Sequence, residues 1–225
     1  MTGSPEPEVR VAKRRILIVD DHPIIRRGIA QLLADAPDVE VCGGAESVAE
    51  ALEQLEARRP DLVVVDISLK ESHGLDLIAQ IKARYGGVKV LVWSAFDEKI
   101  FAERALRAGA MGYINKQEPL DKVVAAIRKI LGGEVYLSPA MTNALLRTAR
   151  GPESLHEDPV GRLTDRELEV FQMIGKGMTT QQIARKLDLS PKTVEAHREK
   201  IKTKLDLKNA SQLTQRAVQW MLENG

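Results

Sequence analysis

The chain has 225 residues, 44% of them apolar and 29% charged, a balance that supports a buried core and argues against a disordered polar chain. No apolar run approaches the roughly 20 residues of a transmembrane helix, which excludes a helical membrane protein. The net charge of +1 hides a split: residues 1–161 carry 21 basic and 24 acidic side chains, residues 162–225 carry 12 and 8, and six of those twelve cations fall between Lys192 and Lys208. A basic stretch concentrated in this way fits a surface that meets a polyanion. Cys42 is the single cysteine, so an internal disulfide and a cysteine-based zinc site are excluded, and its setting in "VEVCGG" reads as a small buried residue.

In chain order, "MTGSPEPEVRVAKRR" has no apolar stretch of a secretory signal, so residues 1–14 read as a flexible leader on a cytoplasmic protein. Five short apolar, mostly β-branched runs follow: "ILIVD" (16–20), "VEVCGGA" (39–45), "LVVVD" (62–66), "KVLVWS" (89–94) and "GYIN" (112–115). Helical patterns separate them, over Ile24–Leu33, Val48–Leu55, Leu75–Ile81, Ile100–Leu106 and Val123–Leu131. The first places Ile24, Ile25, Gly28, Ile29, Leu32 and Leu33 on one face. Strands that are apolar on both faces are covered by helices on both faces. Residues 15–132 are therefore predicted to form an α/β domain, a doubly wound (βα)5 parallel sheet.

Residues 133–161 change composition and read as a linker, with a short helical pattern at Ala140–Thr148. In residues 162–225, Thr164, Thr179 and Ser190 each stand where a helix N-cap is wanted, and Pro191 fits a first turn. The second and third runs are joined only by "LDLS", the signal of a helix-turn-helix in an all-α domain. Leu168, Phe171, Ile174, Ile183, Leu187, Val194, Ile201 and Leu205 take core-facing spacings, and Ser190 opens a helix of about 15 residues.

Ligands of an open parallel sheet bind at the carboxyl ends of its strands, where strand order reverses. The residues there are Asp20 and Asp21, Asp66, Ser94 and, just past the fifth strand, Lys116. Clustered anions need a cation, and a hard oxygen set suits Mg²⁺, so Asp20 and Asp21 read as a metal cradle. Any one strand-end aspartate taken alone is more simply a helix cap; the set together is too ordered for that.

"VDD", "VVVDISL", "WSA" and "GYINK" give residues 15–132 a resemblance to the receiver domain of bacterial two-component response regulators. The resemblance implies that Asp66 accepts a phosphoryl group from a sensor histidine kinase. It further implies that Asp21, Asp66 and the Ser68 carbonyl hold Mg²⁺, with Asp20 reaching it through water. Lys116 and the metal would neutralise the equatorial oxygens, Ser94 would bond the new phosphoryl group, and Tyr113 would turn inward behind it. The competing reading of Tyr113 is a half-buried strand aromatic with its hydroxyl in water. Receivers usually carry a proline where this chain has Lys70. His22 and His73 receive no role.

Residues 163–213 are similar throughout to the LuxR-type helix-turn-helix, and with the receiver the chain resembles the NarL/FixJ family of transcription factors. That resemblance implies a recognition helix in the major groove of double-stranded DNA. Glu195, Ala196 and Glu199 are the candidates for base edges; Lys192, Thr193, Arg198, Lys202 and Lys208 stand nearer the backbone. It also implies a homodimer after phosphorylation, joined through a last helix, Ala210–Leu222, by a stripe of Leu213, Ala217 and Trp220 that otherwise packs on its own domain. The competing functions are an aspartate-nucleophile phosphatase, which wants a second aspartate where Ser68 stands, and a DNA-binding regulator that works without phosphorylation.

Overall fold

A computed structural model describes residues 12–69, 73–139, 141–143 and 159–224. The helical pattern expected at Ala140–Thr148 lies outside them except for residues 141–143, as do Lys70 and residues 1–11 of the expected leader. The first domain alternates β1 (Arg14–Val19), α1 (Pro23–Ala34), β2 (Val39–Ala45), α2 (Val48–Arg58), β3 (Leu62–Val65), α3 (Gly74–Arg84), β4 (Lys89–Ser94), α4 (Glu98–Ala108), β5 (Gly112–Asn115) and α5 (Leu120–Leu131). All five strands are parallel in the order β2-β1-β3-β4-β5, so the order reverses between β1 and β3.

Strand alternation sorts the core into two layers. Leu17, Val19, Val63, Val65, Val90 and Val92 meet α2, α3 and α4; Ile16, Ile18, Val64, Leu91 and Trp93 meet α1 and α5. Both faces are dry, as the continuous apolar strands require. Three expectations change here. Strand β1 starts at Arg14, inside the expected leader, because the Arg14 amide donates to the Asp38 carbonyl at 2.9 Å and prolongs the ladder. On α1, Ile25, Ile29, Leu32 and Leu33 face inward, while Ile24 is 79% exposed and Gly28 is exposed, since the inward rows run 25-29-33 and leave 24-28 on the flank. Cys42 is half-buried, not fully so, because β1 skips it at the register shift between Ile16 and Leu17; burial pushes its thiol pKa up.

The expected linker is packed at both ends. Tyr136 bridges Gly112 beside β5, its amide donating to the Met111 carbonyl at 2.9 Å, and Val160 is buried in a 3-10 turn, Pro159–Arg162. Pairing with the free edge of β5 satisfies backbone groups that an extended linker would leave to water.

The second domain holds α6 (Asp165–Gly175), α7 (Thr180–Lys186), α8 (Pro191–Lys204) and α9 (Ala210–Asn224). Thr164, Thr179 and Ser190 cap the first three, the Thr164 and Thr179 side chains within reciprocal capping boxes with Glu167 and Gln182. Leu168, Phe171, Ile174, Ile183, Leu187, Val194 and Ile201 are buried, with Leu205 partly so. The α9 stripe is a correction: Leu213, Ala217 and Trp220 all pack against the chain's own α6, with Trp220 edge-on to Phe171 at 5.9 Å. A Cβ on Gly175 would lie 2.7 Å from the Ala217 carbonyl oxygen, so this close helix crossing depends on glycine. Leu222, 82% exposed, and Val218, 39% exposed, are apolar residues that α9 leaves to solvent.

Candidate functional site

The carboxyl ends of β1, β3 and β5 bring Asp20, Asp66 and Lys116 into direct contact. The Lys116 Nζ donates to Asp20 Oδ2 and to Asp66 Oδ2, each at 2.6 Å, although Lys116 lies 96 and 50 residues away in sequence. Both carboxylates are buried, 2% and 3% exposed, so the ammonium between them offsets a charge cluster that the interior would otherwise reject. Burial alone would lower the Lys116 pKa; the charges of Asp66 and Asp20 outweigh it and hold the ammonium above its ordinary value.

Backbone groups fix the acids. The His22 amide donates to Asp20 Oδ1 at 2.8 Å, the Ser68 amide to Asp66 Oδ1 at 3.0 Å. A Cβ on Gly74 would fall 2.3 Å from the Asp66 carbonyl oxygen, so α3 begins tight against the end of β3 only because residue 74 is glycine. Asp21 pairs with His22, Oδ1 to Nδ1 2.7 Å, and the ligand atoms of Asp20, Asp21 and His22 lie within 4.8 Å of one another. Asp66 stands outside that trio, turned to Lys116. Buried carboxylate oxygens on two strand ends fit a hard divalent cation.

Ser94 is fully buried, its Oγ accepting from the Phe96 amide at 3.3 Å. Tyr113 already points inward: its hydroxyl donates to the Phe96 carbonyl at 3.0 Å, and burial holds its pKa far above the ordinary phenol. The half-buried, water-facing alternative for Tyr113 is therefore not what the fold adopts.

On α8, Val194 and Ile201 face the core while Lys192, Thr193, Glu195, Ala196 and Glu199 are exposed. Arg198 pairs with Glu195 at 3.5 Å and Lys202 with Glu199 at 2.9 Å; Lys208 is exposed past the helix end. His197, on the same helix, is half-buried, its pKa lowered by that burial and by Arg166 and Lys200.

The two domains touch along one face of α6, the turn before it and the end of α7. Arg104 of α4 donates to Asp165 Oδ1 at 2.6 Å and to the Leu163 carbonyl at 2.9 Å. His73 Nδ1 accepts the Leu75 amide at 3.3 Å and caps α3, so its Nε2–H is free to donate to the buried Glu169 at 2.9 Å. Further along, Gln172, Met173 and Lys176, with Lys186 of α7, roof a cavity of about 310 Å³ whose floor includes Asp66 and Lys116. Sequence reasoning missed His73, Arg104 and this face; its 165-169-172-176 spacing carries no sign that distinguishes a docked polar stripe from a solvated one.

Comparisons with known proteins agree with this division. The response regulator receiver domain matches residues 16–128, and the luxR family of bacterial regulatory proteins matches residues 161–217. The oxygen regulatory protein NreC of Staphylococcus epidermidis is 34% identical over 210 residues, 91% of this chain and 96% of that protein. The nitrate/nitrite response regulator protein NarL of Escherichia coli is 31% identical, over 86% of this chain and 90% of that one. A crystal structure of a LuxR-family two-component response regulator from Aurantimonas superposes with a TM-score of 0.57 at 31% identity, covering 62% of this chain and all of that one.

Proposed function

The chain belongs to the response regulators that join a receiver domain to a LuxR-type DNA-binding domain, and from that premise we propose that Asp66 is its phosphoryl acceptor. The observation that carries the assignment is the Lys116 ammonium held at 2.6 Å from both Asp66 and Asp20 where strand order reverses. An Asp66 oxygen attacks the phosphorus of a histidine kinase's phosphohistidine, and the phosphorus–nitrogen bond breaks as the imidazole nitrogen leaves with that electron pair. Lys116 then moves from the carboxylate it neutralises to the oxygens of the transferred group. Asp20, Asp21, Asp66 and the Ser68 carbonyl would hold Mg²⁺, which supplies the remaining charge neutralisation. Ser94 lies behind this site and would turn its hydroxyl to the phosphoryl group, with Tyr113 already seated inward beside it.

The regulated output is transcription. Helix α8 would enter the major groove with Glu195, Ala196 and Glu199 toward base edges. Lys192, Thr193, Arg198, Lys202 and Lys208 would meet the phosphates, and two phosphorylated copies would bind as a homodimer. Among the described residues no helix is long and apolar enough to cross a membrane, in keeping with work in the cytoplasm. Membership in a family of regulators and a serine at position 68, where an aspartate-nucleophile phosphatase wants its second aspartate, disfavour that alternative. Asp66→Asn tests the assignment: the variant folds as the wild type does and takes no label from acetyl phosphate with MgCl₂. Undiminished labelling would move the acceptor elsewhere.

A further inference from the structure

Helix α6 is buried on nearly every side, its polar face included. Asp165 and Glu169 on that face meet Arg104 and His73, whereas Gln172, one turn on, is packed without a polar partner. It is 1% exposed, and neither its amide oxygen nor its amide nitrogen has a hydrogen-bond partner. Buried amides are almost always satisfied, so an unpartnered one in the wall of a cavity marks a place where a polar ligand can be met. The cavity it lines is the one over Asp66 and Lys116. At its rim stand Lys176 and Lys186, exposed, with no ion pair to either among the described residues. Two exposed lysines at the mouth and an unpartnered amide in the wall suit an anion, above a floor where the Lys116 ammonium already offsets Asp66 and Asp20, and about 310 Å³ is at the lower end of small-ligand sites.

We propose that the C-terminal domain completes the receiver's phosphodonor site: in the docked form Gln172 hydrogen-bonds, and Lys176 and Lys186 draw in, a small acyl phosphate lying over Asp66. The inference rests on the assignment of Asp66 as acceptor. An Asp66 carboxylate oxygen forms the new bond to phosphorus; the bond from phosphorus to the acyl oxygen breaks, and the carboxylate leaves with that electron pair. No proton and no further reactant are needed. The Gln172 NH₂ donates to the anion throughout, so its part is binding and positioning. The exposed face of α8 lies outside this contact. Docking therefore acts on how Asp66 is charged, and a donor carried on a protein reaches Asp66 after the domains part.

The experiment uses the full chain, acetyl phosphate and MgCl₂, with initial labelling rates measured across donor concentration. Gln172→Met keeps the volume and removes the amide. It raises the half-saturating acetyl phosphate concentration about tenfold, the loss of one hydrogen bond to a charged group, with the maximal rate within about twofold. Gln172→Glu, which sets a carboxylate against the anion, raises it further, and Lys176→Gln with Lys186→Gln raises it as Gln172→Met does. Transfer from a phosphorylated histidine phosphotransfer protein is unchanged by these substitutions. Unaltered half-saturation in Gln172→Met and the lysine pair overturns the inference, as does equal slowing with both donors, or a wild type that acetyl phosphate does not label. If Asp66→Asn still takes label, the acceptor assignment itself fails; if only the Gln172 and lysine results are flat, that assignment stands and this inference falls.

Discussion

Replacing Lys116 with methionine keeps most of the side-chain stem and removes the one ammonium that bridges Asp20 and Asp66. The two carboxylates are 2% and 3% exposed and each sits 2.6 Å from Nζ. Stripping one partner from a buried pair costs about 3 to 5 kcal/mol, because the charges left behind are neither hydrated nor compensated. The lysine is itself largely buried, so its own desolvation is relieved, and a loss near the lower figure, about 3 kcal/mol at pH 7, is expected. Urea unfolding read by Trp93 fluorescence in a Trp220→Phe background isolates the first domain and shows a midpoint lower by about 2 M for a slope of about 1.5 kcal/mol/M. The folded-state pKa of Lys116 is raised. Its contribution is therefore complete below the unfolded lysine value and fades as pH rises through the folded one, so the gap between wild type and variant holds to about pH 10 and closes above it. Millimolar MgCl₂ narrows the gap at pH 7, since the freed carboxylates gain a cation that binds only the folded state. A loss under about 1 kcal/mol, the worth of an exposed pair, would refute this account of the site, as would a gap that persists unchanged past pH 11.

Tyr113→Phe removes the hydroxyl bond to the Phe96 carbonyl, which keeps its bond from the Asn115 amide. The cost is about 1 kcal/mol at neutral pH. The folded Tyr113 pKa is raised by burial, so wild-type stability fades as pH rises above the unfolded phenol value of about 10, and the phenylalanine variant fades less, measured by urea midpoints from pH 9 to 11. Glu169→Ala breaks the His73 contact and loosens domain docking. Small-angle scattering then gives a larger radius of gyration, while DNA affinity by anisotropy stays within about threefold, because α8 is already exposed. An unchanged radius would mean the domains are held elsewhere. DNA binding by the phosphorylated protein falls steeply with salt, and Lys192→Ala or Lys208→Ala each lowers the slope of log K against log salt by about one; slopes that do not move would take these lysines off the phosphates.

Much of the site was readable along the chain. Short continuous apolar runs ended on Asp20, Asp66 and Ser94, and a parallel sheet gathers strand ends at one edge whatever its loops contain, so the convergence on Lys116 followed from topology. The caps Thr164, Thr179 and Ser190 were equally plain, since a cap is satisfied by an amide three residues on. The boundaries of β1 and the inward rows of α1 were not, because they depend on a ladder partner and on which neighbouring helix is met. The α9 stripe looked the same whether it waited for a second copy or covered α6; Gly175, which lets Ala217 approach, decided it.

By itself, then, the sequence determined the two domains and the helix that Ser190 opens, which rest on spacing between residues a few positions apart, and the acidic edge with its lysine, which follows from the parallel order of the strands. Tertiary structure alone decided that His73 meets Glu169 across 96 residues and Arg104 meets Asp165 across 61, and that Gln172 lies buried in the wall of the cavity that Asp66 lines. A polar helix face costs nothing in water and is paid no attention by periodicity; only the surface that docks against it turns the same residues into ion pairs and an unsatisfied amide.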